Sequence, residues 1–160
     1  MKSPIIILAS LLLLISITSC DPLRPIYRDI DGDWEVASIT ISDRTSLSGD
    51  ALADTSVNVL AEFSFDLCDR NANDNANCTG TLTTTDGGIF DINYQVGDAE
   101  EPQMILSVPT TDLKESSNPF GTYDLMLEAE SITLTTKPNT SELIASSYRG
   151  RTLTITLNRK

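Results

Sequence analysis

The chain has 160 residues, with 11 Lys and Arg against 23 Asp and Glu, no His, and a formal charge of −12. A chain this acidic would repel nucleic-acid phosphates rather than release their counterions, and the lack of His excludes Ser–His and Cys–His nucleophile systems. The length suits one domain with a core of its own.

Met1-Lys2-Ser3-Pro4 leads into an apolar run, Ile5 to Ile17, interrupted only by Ser10 and Ser16. A charge followed by a short apolar run has the order of a secretion signal and is too short for a permanent span. The run ends Ile17-Thr18-Ser19-Cys20, which resembles the lipobox of bacterial lipoproteins. The resemblance implies that residues 1–19 are removed and that Cys20 carries the lipid; an ordinary signal with an incidental cysteine is the alternative. Removing the first 19 of 160 residues leaves 141, and the loss of Lys2 leaves 10 cationic side chains against 23 carboxylates, a charge of −13. Such a surface attracts a basic partner or only keeps the protein in solution. Residues 20–29, with Pro22 and Pro25, read as an extended tether, because Pro resists joining a helix. The partner implied is the membrane, and the address is the cell envelope, at the outer membrane in preference to the inner, with periplasmic and surface faces both open.

Residues 30–160 read as the folded domain. Trp34 and Val36 share one parity and Ile39 and Ile41 the other, so a bulge near Ala37-Ser38 is predicted to restore the phase. After a polar loop from Ser42 to Ser56, Val57, Val59, Ala61, Phe63, Phe65 and Leu67 alternate with a mostly polar set that includes Leu60. Asp69 to Asn77 is an Asn/Asp loop, and Cys78 to Thr85 is Thr-rich and β-prone. Asp86-Gly87-Gly88 signals a tight turn before Phe90, Ile92, Tyr94 and Val96. Met104, Leu106 and Val108 follow, then a loop from Pro109 to Gly121. Next come Tyr123, Leu125 and Leu127, a short turn, and Ile132 and Leu134. Lys137 to Arg151 is a connection in which Ser141 to Tyr148 could form two helical turns, and Leu153, Ile155 and Leu157 close the chain.

This pattern predicts an all-β fold, an eight-stranded antiparallel up-and-down barrel with at most one short helix before the last strand. In such a meander alternate loops share an end. The three long loops therefore fall at one mouth, opposite the end where the chain enters. Cys68 and Cys78 form an even pair in an exported chain, so a disulfide is expected; a metal pair is the competing reading, against the absence of His or a third thiol.

Gly32-Asp33-Trp34 at the start of the first strand resembles the Gly-x-Trp signature of lipocalins. The resemblance implies that Trp34 lies across the closed end of the barrel under an Arg from near the end of the last strand, for which Arg159 is placed. More closely, residues 30–160 look like the short lipocalin-like lipoproteins common in Bacteroidota. That likeness implies a barrel that holds one small apolar ligand or is filled by its own side chains. The ligand wall would be Phe63, Phe65, Tyr94, Leu106, Tyr123 and Leu125, with Phe90, Ile92 and Leu127 beside them, and contact is expected chiefly at Tyr123 and Tyr94 near the mouth; the same residues read equally as plain core. Asp69 to Asn75 places oxygens at alternate positions like the start of a calcium loop, but Asp74 and Gly80 replace its Gly and Glu, so it reads as a solvated turn. No enzyme activity, metal or cofactor is predicted. The expected function is binding or carrying a small hydrophobic ligand at the envelope, with a protein-interaction or inhibitor barrel facing a basic partner as the alternative.

Overall fold

The computed structural model describes residues 22–43, 51, 53–68, 78–97, 100–109, 119–136 and 152–160. A helix, α1 (Arg24–Ile30), is followed by β1 (Gly32–Ser42), β2 (Thr55–Val57), β3 (Leu60–Phe65), β4 (Cys78–Thr84), β5 (Ile89–Gly97), β6 (Gln103–Ser107), β7 (Gly121–Glu128), β8 (Ser131–Thr136) and β9 (Thr152–Arg159). All pairings are antiparallel; from β3 to β9 each strand pairs with the next in sequence, β1 pairs with both β2 and β3, and β9 returns to pair with β1. The result is a closed eight-stranded barrel, since β2 and β3 share one edge of β1. The N-terminal half of β1 pairs with β3 and its C-terminal half with β2.

Three irregularities set the shape. The β1–β9 register shifts between Val36 and Ser38, where the change of parity required it, so that Trp34, Ile39 and Ile41 all point inward and are buried. A second shift falls between Leu60 and Glu62. It turns Leu60 into the core, while Leu67, past the end of β3 at Phe65, is exposed, which corrects the single uninterrupted alternation expected from Val57 to Leu67. The third is the break at Asn58 and Val59, which divides that stretch into β2 and β3.

The remaining strands follow the period-two pattern. Ile92, Tyr94 and Val96 of β5, Met104 and Leu106 of β6, Tyr123 and Leu125 of β7, Ile132 and Leu134 of β8, and Leu153, Ile155 and Leu157 of β9 are all buried in one cluster. Phe90 and Leu127 lie at its margin, half-buried. Gly80 allows β4 to approach β3 closely: a Cβ there would strike the Ser64 carbonyl oxygen and the Phe65 Cα, backbone atoms that cannot rotate away.

Antiparallel order places the two ends. Ser42, Thr84, Ser107, Gly121, Thr136 and Thr152 lie at one end of their strands, so the segments 43–54, 108–120 and 137–151 all join strands at that mouth. Gly32, Phe65, Cys78, Gly97 and Gln103 mark the base. The base connection between β3 and β4 covers residues 66–77, longer than expected because β3 ends at Phe65. It is closed by the expected disulfide between Cys68 and Cys78, whose Cα atoms are 5.3 Å apart.

Residues 24–30 are helical, not an extended tether. Pro25 falls in the first turn, where its missing N–H had no intrahelical partner to lose and its fixed φ suits a helix. Tyr27 and Ile30 then face the barrel and are fully buried. The described helix therefore precedes the first strand rather than the last. Residues 141–148, where a helix was expected, lie outside the described residues, as do residues 1–19, Cys20 and the Asp69–Asn75 loop.

Candidate functional site

The base is built around Trp34. Its ring is fully buried, and its Nε1–H donates to the Ile30 carbonyl at 2.7 Å. Trp34 pairs in register with Phe63 on one side and Arg159 on the other. The Arg159 guanidinium carbon lies 4.3 Å from the ring centroid. From there Nη2 donates to the Asp29 carbonyl at 2.7 Å and Nη1 to the Asp31 carbonyl at 3.3 Å. One side chain thus stacks on the plug and holds the carbonyls at the C-terminal end of α1, where a cation is favoured. Gly32 makes the turn from helix to strand possible: its φ is +118°, a conformation that costs a side-chain-bearing residue strain.

A second set of contacts locks α1 in place. The Tyr27 hydroxyl donates to the Val96 carbonyl at 3.0 Å and accepts from the Val96 N–H at 2.7 Å. Tyr27 packs at 6.0 Å on Tyr94, which meets Phe65 edge-on at 5.0 Å, and Phe65 stacks on Phe63 at 5.7 Å. These aromatic rings form a continuous chain at the base, from α1 to the strand beside Trp34.

The six residues expected to line a ligand cavity are all in the interior: Phe63, Leu106 and Tyr123 have no exposed surface, Phe65 and Tyr94 are 1% exposed and Leu125 is 6% exposed. A side chain facing a void wide enough for water would keep accessible surface. These residues instead touch protein on nearly every side, as in a close-packed interior. The two hydroxyls expected to orient a ligand are both engaged. Tyr94 donates to the Asp66 carbonyl at 2.7 Å and Tyr123 to the Pro119 carbonyl at 2.8 Å. Tyr123 does lie at the mouth. Tyr94 lies near the base beside Tyr27 and the Cys68–Cys78 connection, which corrects its expected position.

Burial, reinforced by Tyr27, Asp31 and Asp66 nearby, holds the Tyr94 phenol well above its ordinary value, and burial alone does the same for Tyr123. A folded-state pKa raised above the unfolded one contributes stability that is complete at lower pH and is lost as pH rises. Melting temperature is therefore expected to fall as pH passes the ordinary phenol value of 10.0. The alkaline fall should be smaller in Tyr123→Phe, which thermal melts on either side of that pH would show.

The outer wall divides by chemistry. Across β8, β9, β1 and β2, Thr135, Thr154, Thr40 and Ser56 form one row and Thr133, Thr156 and Ser38 the next. This side carries hydroxyls and no charge between Val36 and Ser42, Ser131 and Thr136, or Thr152 and Asn158. On β5, β6 and β7 the outward residues include Asp91, Asp124 and Glu128, with Ile105 and Met126 exposed among them and Phe120 exposed just before β7. This mixed acidic and apolar face gave no clear periodic signal, because a lone Ile or Met on a polar face resembles ordinary surface.

Outside the barrel, Asp29, Leu127, Glu128, Ala129 and Arg159 border an open hollow of about 310 Å³ at the base. Its guanidinium is already committed to backbone carbonyls and the Trp34 ring. Among the described residues no three Cys, Asp or Glu side chains converge as a metal-ligand group. Comparison with family models, curated proteins and solved structures gave no match.

Proposed function

We propose that this protein is an envelope lipoprotein, held to the membrane through Cys20, whose barrel acts by binding a basic protein partner on its outer wall. The observation that carries this reading is the occupied interior. The residues best suited to a ligand wall are packed against one another, and their hydroxyls are bonded to backbone. A filled barrel leaves the outside to do the binding. The β5–β7 wall offers Ile105, Met126 and Phe120 as apolar contacts, with Asp124 and Glu128 set to meet cationic groups. Apolar centres with charged margins suit protein association, and the charge of the whole chain favours a basic partner's approach. The barrel works without catalysis.

The carrier reading keeps one observation in its favour: three of the connections between strands begin and end at the mouth, the end at which Tyr123 and Leu153 lie. Native mass spectrometry of residues 21–160, exported without lipid in the source organism, separates the two. The expected result is the bare protein mass. A co-purifying species of a few hundred daltons would overturn the interaction reading and establish a carrier.

A further inference from the structure

We propose that the base end of β7 is a docking edge for an extended segment of the basic partner, which pairs its backbone with Leu127 and sets a cationic side chain against Glu128 and Asp29. The proposal rests on the interaction reading above and adds where and how the partner is held.

The strands do not all end at the same level at the base. β5 outruns β4, because Cys78, the first residue of β4, pairs with Tyr94. Backbone groups alternate sides along a strand, so the next groups on that edge of β5 belong to Val96. Both are taken by the Tyr27 hydroxyl, at 2.7 and 3.0 Å. A side chain thus stands in for the missing strand.

β7 outruns β6 in the same way. Gln103, the first residue of β6, pairs with Asp124, and the Leu125 N–H still reaches the Pro102 carbonyl at 2.8 Å. Leu127 lies two residues further along and turns its N–H and C=O to the same side as Leu125. Among the described residues no group bonds them on that side. A donor and an acceptor side by side on a strand edge match the backbone of another extended chain.

Space and charge fit the same occupant. Leu127 borders the open hollow of about 310 Å³ together with Asp29, Glu128, Ala129 and Arg159. The β7–β8 hairpin carries Asp124, Glu128 and Glu130 and no cation. Asp29 meets Arg28 only at 4.0 Å, with both groups largely in solvent, and a pair so exposed is weak. The Arg159 guanidinium is turned to the Asp29 and Asp31 carbonyls and to the Trp34 ring. Leu127 and Ala129 offer apolar surface to the stem of a lysine or arginine. The edge also adjoins the wall that exposes Met126 and Ile105. A second copy of this chain fits less well, since pairing two β7 edges would bring the carboxylates of both hairpins together.

The test uses the full lipidated protein in detergent micelles, with exchange of single amides read by NMR. In the free protein the Leu127 amide should exchange about tenfold or more faster than the bonded Leu125 amide. The probe is a blocked hexapeptide of alternating lysine and valine, which should slow the exchange of Leu127. The same peptide methylated at every backbone nitrogen keeps its charge and loses its donors, and should bind about tenfold or more weaker. A glutamate–valine peptide should give no protection. D29N/E128Q should weaken the lysine peptide several-fold at an unchanged melting temperature, because both side chains are exposed. Equal protection of Leu127 and Leu125 in the free protein, or protection of Leu127 that grows with protein concentration alone, would overturn the proposal by showing the edge already taken. Equal binding of the methylated peptide, or shifts confined to Ile105 and Met126, would overturn it and leave the basic-partner reading standing. A lysine peptide that shifts no residue would overturn both.

Discussion

Trp34→Ala is expected to destabilise the barrel by about 3–5 kcal/mol, lowering the melting temperature by roughly 10 °C or more for a domain of this size. The cost exceeds the lost ring area. The indole is fully buried between Phe63 and Arg159 on the neighbouring strands, so truncation leaves a cavity that the closed ring cannot readily collapse to fill. The substitution also frees the Ile30 carbonyl from its N–H donor and removes the surface on which Arg159 lies. Arg159→Ala should reproduce part of the loss, because it releases α1 while leaving the ring in place. An unchanged melting temperature in Trp34→Ala would argue against its role as the plug of the base.

Tyr27→Ala should cost a comparable amount, about 3–5 kcal/mol, although Tyr27 lies outside the domain boundary expected from the sequence. Its single hydroxyl serves both backbone groups of Val96, at 2.7 and 3.0 Å, in a buried setting. Tyr27→Phe keeps the ring and leaves a buried N–H and C=O without that partner, a loss of about 1–3 kcal/mol. Urea unfolding of the two variants separates the packing and polar contributions. If Tyr27→Phe unfolds at the wild-type midpoint, the Val96 bonds contribute nothing net. The same reasoning predicts that a chain beginning at Ile30 melts below one beginning at Asp21, because it lacks the tyrosine altogether.

What could be read in the sequence follows from where one face of a strand is buried. The strands of the C-terminal half alternate cleanly because solvent and core each select a residue type at every second position, and β5 to β9 lie close to their expected bounds. The bulge in β1 was legible because Trp34 and Ile39 are both too large to leave outside. The bulge beside Ala61 was not. A small residue there tolerates either face, and Leu60 passed for a member of the polar set. Trp34 and Arg159 were paired by the resemblance to the Gly-x-Trp signature, and no spacing in this chain singles out that cation; in the structure the two lie against each other at the base. The helix was hidden by Pro22 and Pro25, which read as breakers although the first helical turn accepts Pro; the three-residue spacing of Tyr27 and Ile30 was the available signal. Whether the interior is empty could not be read strand by strand. It depends on the summed volume of side chains from opposite walls, which comes together only when the ring is closed.

That ring has a consequence for biosynthesis. Trp34 and Arg159 are in-register neighbours yet about 125 positions apart in the chain, and a contact so distant in sequence forms slowly. Synthesis delivers the chain from its N-terminus, so β1 emerges before β9 and must wait for it with one edge unpaired meanwhile. During that interval the chain is an open sheet with an adhesive border. Losing β9 through a premature stop would make the interval permanent, and would turn a self-contained barrel into a substrate for chaperones and proteases.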